Sequence, residues 1–193
     1  EADFAEMAKA GVKLVGEIMQ RADEVPDAIT DLVASTSEGN PFFMEELVKW
    51  LVGEGVVDTS TERWSVMGEA LDLTRVPATL KGVIQARLDA LAPDERAAAQ
   101  RAAVVGRVFW DSAVKHLDPT GDGDANDALA RLRNREIVFR RQSSAFSGST
   151  EFSFRHALLR DVAYESLLRA TRRIYHGRVA EWLEGLAGET GRG

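Results

Sequence analysis

No cysteine occurs among the 193 residues, so disulfides, thiolate metal sites and cysteine nucleophiles are excluded, and a reducing, cytoplasmic setting is expected. No apolar run approaches the roughly 18 residues of a membrane span, and the acidic N-terminus lacks the basic region of a signal peptide. A soluble protein, off the membrane, is the expectation. No Gly-rich loop leads into Lys and then Ser or Thr, so nothing cradles a phosphate as a P-loop does. A strand ending in an acidic pair, suited to magnesium, is also missing, as is a Gly-x-Ser-x-Gly elbow. The three histidines, His116, His156 and His176, stand 40 and 20 residues apart, which rules out a local helical pair of metal ligands. Residues 122–127 begin like a calcium loop, but the sixth and twelfth positions, where Gly and Glu are needed, hold Asp127 and Arg133. By itself the chain is expected not to be an enzyme.

What is present suits a packed core. Hydrophobic residues make up 45% and charged residues 28%, in a length that as a prior holds one large domain or two small ones. The net charge of −7 is unevenly spread: residues 1–95 carry 19 acids and 8 bases, residues 96–193 carry 12 acids and 16 bases. Halves of opposite sign point to two modules, the second facing an anion or an acidic partner. For any single residue, a solvated helix face is the plainer account.

Hydrophobic spacing predicts a helix over 5–22, a second from Pro26 to Gly39 carrying Ile29, Leu32 and Val33, and a third from Pro41 to about residue 52. In the third, Phe43, Leu47 and Leu51 form the apolar line, while Glu45, Glu46 and Lys49 take the wet side. A small hairpin is expected between Val56-Val57 and Trp64-Ser65-Val66. Pro77 opens another helix, with Leu80, Val83, Ile84, Arg87, Leu88 and Leu91 on one face. Ala92-Pro93 breaks it, and the domain boundary is placed there. Beyond lie helices over 94–105, 111–117 and 125–134, then strands over 137–141 and 151–154 joined by the Ser- and Gly-rich 142–150. Three helices followed by a two-stranded hairpin is the winged-helix arrangement. Two further helices follow, over 157–168 and 172–186, the last with Tyr175, Val179, Trp182, Leu183 and Leu186 on its apolar face.

Two stretches stand out. In Glu38-Gly39-Asn40-Pro41-Phe42-Phe43, Gly39 suits the left-handed conformation that ends a helix, Asn40 caps the next, and Pro41 fits its first turn. Such a corner holds a flat proline ring and a helix N-terminus in a fixed place, which suits packing against a purine. On these residues alone it is first of all helix punctuation. In Phe152-Ser153-Phe154-Arg155-His156-Ala157-Leu158-Leu159-Arg160-Asp161-Val162-Ala163-Tyr164, both Phe side chains share a strand face. His156 falls where strand becomes helix, within reach of a phosphate and titrating near neutral pH. A lone histidine there is more often a local hydrogen-bonding residue.

Taken together and in this order, the two stretches resemble the C-terminal part of STAND-type (AAA+/NB-ARC-like) signalling ATPases, nearest to those of bacterial cyclase-associated ATPases and large LuxR-type regulators. The matching stretches are 38–51, 76–91, 101–110 and 152–168, with Arg172-Arg173 and 176–182 similar to that family's entry into a tetratricopeptide-type (TPR-like) array. The resemblance implies a mainly α fold: a helical lid over 1–91, a winged-helix domain with a small β wing over 92–169, and the start of a TPR-like helical region over 170–193. It implies a regulatory fragment of a nucleotide-dependent switch, lying between an upstream P-loop ATPase domain and a downstream helical repeat. ATP or ADP with magnesium would belong to the full-length parent, and none is expected to bind this region tightly. By the same resemblance Gly39, Asn40 and Pro41 lie by the adenine and His156 by the phosphates. NB-ARC relatives carry Asp directly after that histidine, where this chain has Ala157; Asp161 lies one turn further on. A DNA-binding winged helix is the alternative, drawing on Arg131, Arg133, Arg135, Arg140 and Arg141, but Asp124, Asp127 and Glu136 sit in or beside the recognition helix and make DNA the weaker expectation. A nucleotide-independent platform for protein partners is the third.

Overall fold

The computed structural model describes residues 27–58, 65–66, 76–118 and 125–190. The helix expected over 5–22 and the Gly- and Asp-rich loop after Leu117 lie outside the described residues. The fold is mainly helical with small antiparallel sheets, and it divides into two compact units between Arg87 and Leu88. Among the described residues no helix is long and apolar enough to cross a membrane.

In the first unit, α1 (Asp27–Ser37) and α2 (Pro41–Gly53) pack on one another. The chain turns between them through two left-handed residues, Glu38 (φ 49°) and Gly39 (φ 80°). Only Gly39 takes that conformation without the steric cost a Cβ brings. At its far end α2 closes as a Schellman motif: Val56 N–H donates to Leu51 O at 3.0 Å, and Gly55 N–H to Val52 O at 3.1 Å, with Gly55 left-handed. This turns the chain into the hairpin of β1 (Val57–Asp58) and β2 (Ser65–Val66), paired antiparallel. Helix α3 (Leu80–Asp89) begins three residues later than Pro77 suggests, because Thr79 Oγ1 accepts from Gly82 N–H at 3.1 Å and sets the start. Ile29, Val33, Phe43, Met44, Leu47, Val48, Trp50, Leu51 and Val83 form the core of this unit.

The second unit is built around α4 (Pro93–Val105), whose buried Ala98, Ala99, Ala102 and Ala103 let neighbouring helices approach closely. Against it pack α5 (Asp111–His116), α6 (Ala125–Asn134), α7 (Ala157–Glu165) and α8 (Arg169–Thr190). A three-stranded antiparallel sheet in the order β3-β5-β4 completes the unit: β3 (Val108–Trp110), β4 (Val138–Arg140) and β5 (Glu151–Phe154). Strand β3 did not figure among the expected elements; it pairs Val108 with Ser153 and Phe109 with Phe152. Phe109, Phe152 and Phe154 meet on the inner face, with ring centroids 5.8 and 5.4 Å from Phe109. The last helix also departs from expectation, since Leu183 is 45% exposed while Trp182 is buried.

Candidate functional site

The corner at 38–41 is locally over-determined. Asn40 is extended (φ −77°, ψ 110°), and its Oδ1 accepts from Phe42 N–H at 3.0 Å and Phe43 N–H at 3.2 Å. Its own N–H donates to Ser37 O at 2.9 Å, so the end of α1 and the start of α2 are joined through one residue. Pro41, in the first turn, has no N–H to satisfy. The side chains of Asn40 and Pro41 are exposed, whereas Phe43 and Met44 are buried just behind them. The result is a proline ring on the surface over an anchored helix start.

Further along α2, the expectation for the acidic pair is overturned in part. Glu46 is fully buried rather than solvated, and Arg87 from α3 donates directly to its carboxylate. Lys49 Nζ lies 3.6 Å from the same carboxylate and 2.6 Å from Glu45, which stays partly exposed. The pair that matters is thus separated by 41 residues in sequence. The sequence signal was Arg87, a cation on the apolar face of its helix, because such a charge requires a buried counter-ion.

His156 belongs to the other unit. It is the N-cap residue of α7, extended at φ −134° and ψ 147°, half-buried, with an imidazole that makes no capping hydrogen bond. One turn below, Arg160 Nε donates to Ala103 O at 2.8 Å and so ties α7 to the end of α4. The guanidinium groups of Arg160 and Arg172 each lie 4.6 Å from the ring centre of Tyr164, whose hydroxyl is 3.0 Å from His176 Nε2. Asp161, the acid one turn beyond Ala157, pairs with Arg160 at 3.1 Å. Gly39, Asn40 and Pro41 therefore form one corner, and His156 heads a helix of the second unit.

Several arginines of the second unit already have carboxylate partners. Glu95, buried near the start of α4, accepts from Ala92 N–H at 3.1 Å and from Arg131 Nε at 3.1 Å, with Arg135 Nε at 3.4 Å. Arg131 also binds Asp94 and Asp127. Desolvation pulls the Arg131 guanidinium down, but the carboxylates of Asp127, Asp94 and Glu95 outweigh it, and its pKa rises above the ordinary value. Between β4 and β5 the loop folds back on the unit: Phe146 lies edge-on to Trp110 at 4.7 Å and to Trp182 at 5.3 Å. These aromatic contacts join positions up to 72 residues apart, from Trp110 to Trp182, and no local pattern announces them. Among the described residues no group of three or more His, Asp or Glu side chains is placed to hold a metal ion.

No family model and no solved structure matches the chain. It is similar to an uncharacterized protein of Rhizobium meliloti, 28% identical over 156 residues. That match takes in 80% of this chain and 14% of the relative, so the chain spans about one seventh of that protein's length.

Proposed function

We propose that this region is the lid and winged helix of a STAND-type switch, closing over ATP or ADP bound by a P-loop domain elsewhere in a longer cytoplasmic polypeptide. The observation that carries the reading is the corner at Gly39-Asn40-Pro41. It keeps an exposed proline ring fixed over a capped helix start, a rigid flat surface of the kind a purine stacks on. The order of the second unit supports it: helix, strand, two helices, then two strands, with the first strand paired to the last. Such an order suits a winged helix, with α7 and α8 following as the beginning of a TPR-like array would. His156, at the head of α7, supplies an imidazole beside the positive end of a helix, a combination that attracts phosphate. The lid and the winged helix pivot about the segment around Leu91-Ala92-Pro93. For the closed state to dominate 99:1 from an even balance, nucleotide must favour it by about 2.7 kcal/mol.

The DNA-binding alternative has less support. Arg131 and Arg135 are occupied by Glu95, Asp94 and Asp127, and the wing loop is held against Trp110 and Trp182 rather than projecting. The test compares two polypeptides by binding of a fluorescent ADP analogue. The 193-residue chain alone is expected to bind weakly and to hydrolyse no ATP. The same region joined to its P-loop domain is expected to retain ADP, and Pro41→Ala or His156→Ala to release it at least several-fold faster. Retention unchanged in both variants sinks the reading.

A further inference from the structure

The loop between β4 and β5 carries five hydroxyl side chains, Ser143, Ser144, Ser147, Ser149 and Thr150, and their surroundings sort them. The Ser144 hydroxyl is engaged with Phe146, donating to its carbonyl at 3.0 Å and accepting from its N–H at 3.3 Å. Ser149 Oγ is 2.5 Å from Ser112 Oγ, and Thr150 is half-buried with its N–H bound to Asp111. Ser143 and Ser147 are exposed, with no partner among the described residues. Of these two, Ser143 alone follows basic residues: Arg140 stands three positions before it and Arg141 two, both exposed. At the same positions before Ser147 stand Ser144 and Ala145.

We infer that Ser143 is a phosphorylation site for an arginine-directed serine kinase, and that the phosphate unlocks the loop by drawing Arg141 away from the buried carboxylate of Glu151. In the transfer, Ser143 Oγ attacks the γ-phosphorus of a nucleoside triphosphate held by the kinase. The new O–P bond forms as the bond to the bridging oxygen breaks; nucleoside diphosphate leaves, and the hydroxyl proton passes to the kinase's base. The bent, irregular backbone at 142–143 leaves this stretch free of helix or ladder hydrogen bonds that an extended substrate would have to break.

The consequence follows from the contacts of Arg141 and Glu151. They pair at 3.0 Å, but the Arg141 side chain is 46% exposed and that of Glu151 only 7%. The cation is therefore the mobile partner. Phosphoserine adds a charge of about −1.5 to −2 at neutral pH, two residues from Arg141 and so within about 7 Å of backbone. Glu151 would keep the Ala145 N–H at 2.9 Å but lose its counter-ion, and a buried carboxylate without one destabilises what surrounds it. Next to Ala145 is Phe146, whose ring rests on Trp110 and Trp182, so loosening of the loop is readable in tryptophan emission. The inference is independent of the nucleotide-switch reading.

The test uses the full chain, ATP with magnesium, and a purified kinase first shown to label a free peptide of residues 138–147. Mass-spectrometric mapping is expected to find one phosphoryl group in the loop, at Ser143. It should be absent from S143A and retained in S144A. Phosphorylation should shift tryptophan emission to the red, an unphosphorylated Arg141→Gln variant should reproduce that shift, and kinase-treated S143A should not show it. Labelling at Ser144 or Ser147 instead, or none in the loop of the folded chain, overturns the site. Full labelling at Ser143 with unchanged emission overturns the unlocking.

Discussion

Among the described residues, Glu46 of the first unit and Glu95 of the second are the two least exposed glutamates, and they are held in opposite ways. In the first unit Glu46 sits mid-helix, its carboxylate gripped by Arg87, which is itself 11% exposed on its side chain. One oxygen, Oε1, makes no hydrogen bond among the described residues, and Lys49 Nζ stands 3.6 Å from it. In the second unit Glu95 lies at the start of α4, with a backbone N–H as one partner and two arginines that reach it from the surface, 37% and 52% exposed. Burial alone therefore says little about what a carboxylate contributes. Glu46 is bonded directly to one desolvated cation, Arg87, with Lys49 3.6 Å away. Glu95 has three partners, two of them still solvated, and it also closes a helix end.

That difference predicts unequal responses. The largest effect is expected for Arg87→Met, which strands the Glu46 charge in an apolar core at a cost of about 3–5 kcal/mol. Hydrogen exchange should show the loss across α1 and α2 first. The double variant Glu46→Leu/Arg87→Met should recover most of it, since removing both charges removes the desolvation penalty as well. If the double variant is no better than the single, Glu46 is held by more than Arg87. Next in size is Glu95→Gln. It keeps an acceptor for Ala92 N–H and gives up attraction to two solvent-screened arginines, so about 1 to 2 kcal/mol is expected, read over α4 and α6. A loss as large as that of Arg87→Met would erase the contrast between the units.

The same contrast explains what could be read from sequence. Features set by neighbours in the chain were legible: the Asn40 cap and Pro41, the small hairpin after α2, and the stretches that form β4 and β5. Strand β3 was not, because three residues, Val108 to Trp110, show no periodicity of their own and become a strand by pairing with β5. Nor could spacing say which of Glu45 and Glu46 goes inside. A rotation of 100° separates them, and the partner that decides between them is in another helix. Leu183 fails for a related reason: it lies at the border of the apolar stripe that Trp182 centres, and a wheel cannot tell border from centre without the packing neighbour. At the site, the corner was visible as a local motif, whereas the Tyr164 cluster of Arg160, Arg172 and His176 arises from two helices meeting.

The smaller predictions concern the corner itself, and they separate punctuation from recognition. Asn40→Ala removes the acceptor for Phe42 and Phe43 N–H and should destabilise the first unit by about 1 kcal/mol, with Asn40→Gly costing only a few tenths, both measured by denaturant unfolding. Pro41→Ala leaves those hydrogen bonds intact and frees only the unfolded chain, so about 0.4–1 kcal/mol is the most it should cost. The two substitutions therefore rank Asn40 above Pro41 for stability. The purine-stacking role ranks them the other way for nucleotide retention, because the ring at Pro41 is the surface and Asn40 only its support. Losses of retention that follow the stability losses, with Asn40→Ala the larger, would leave the corner as a helix joint and nothing more.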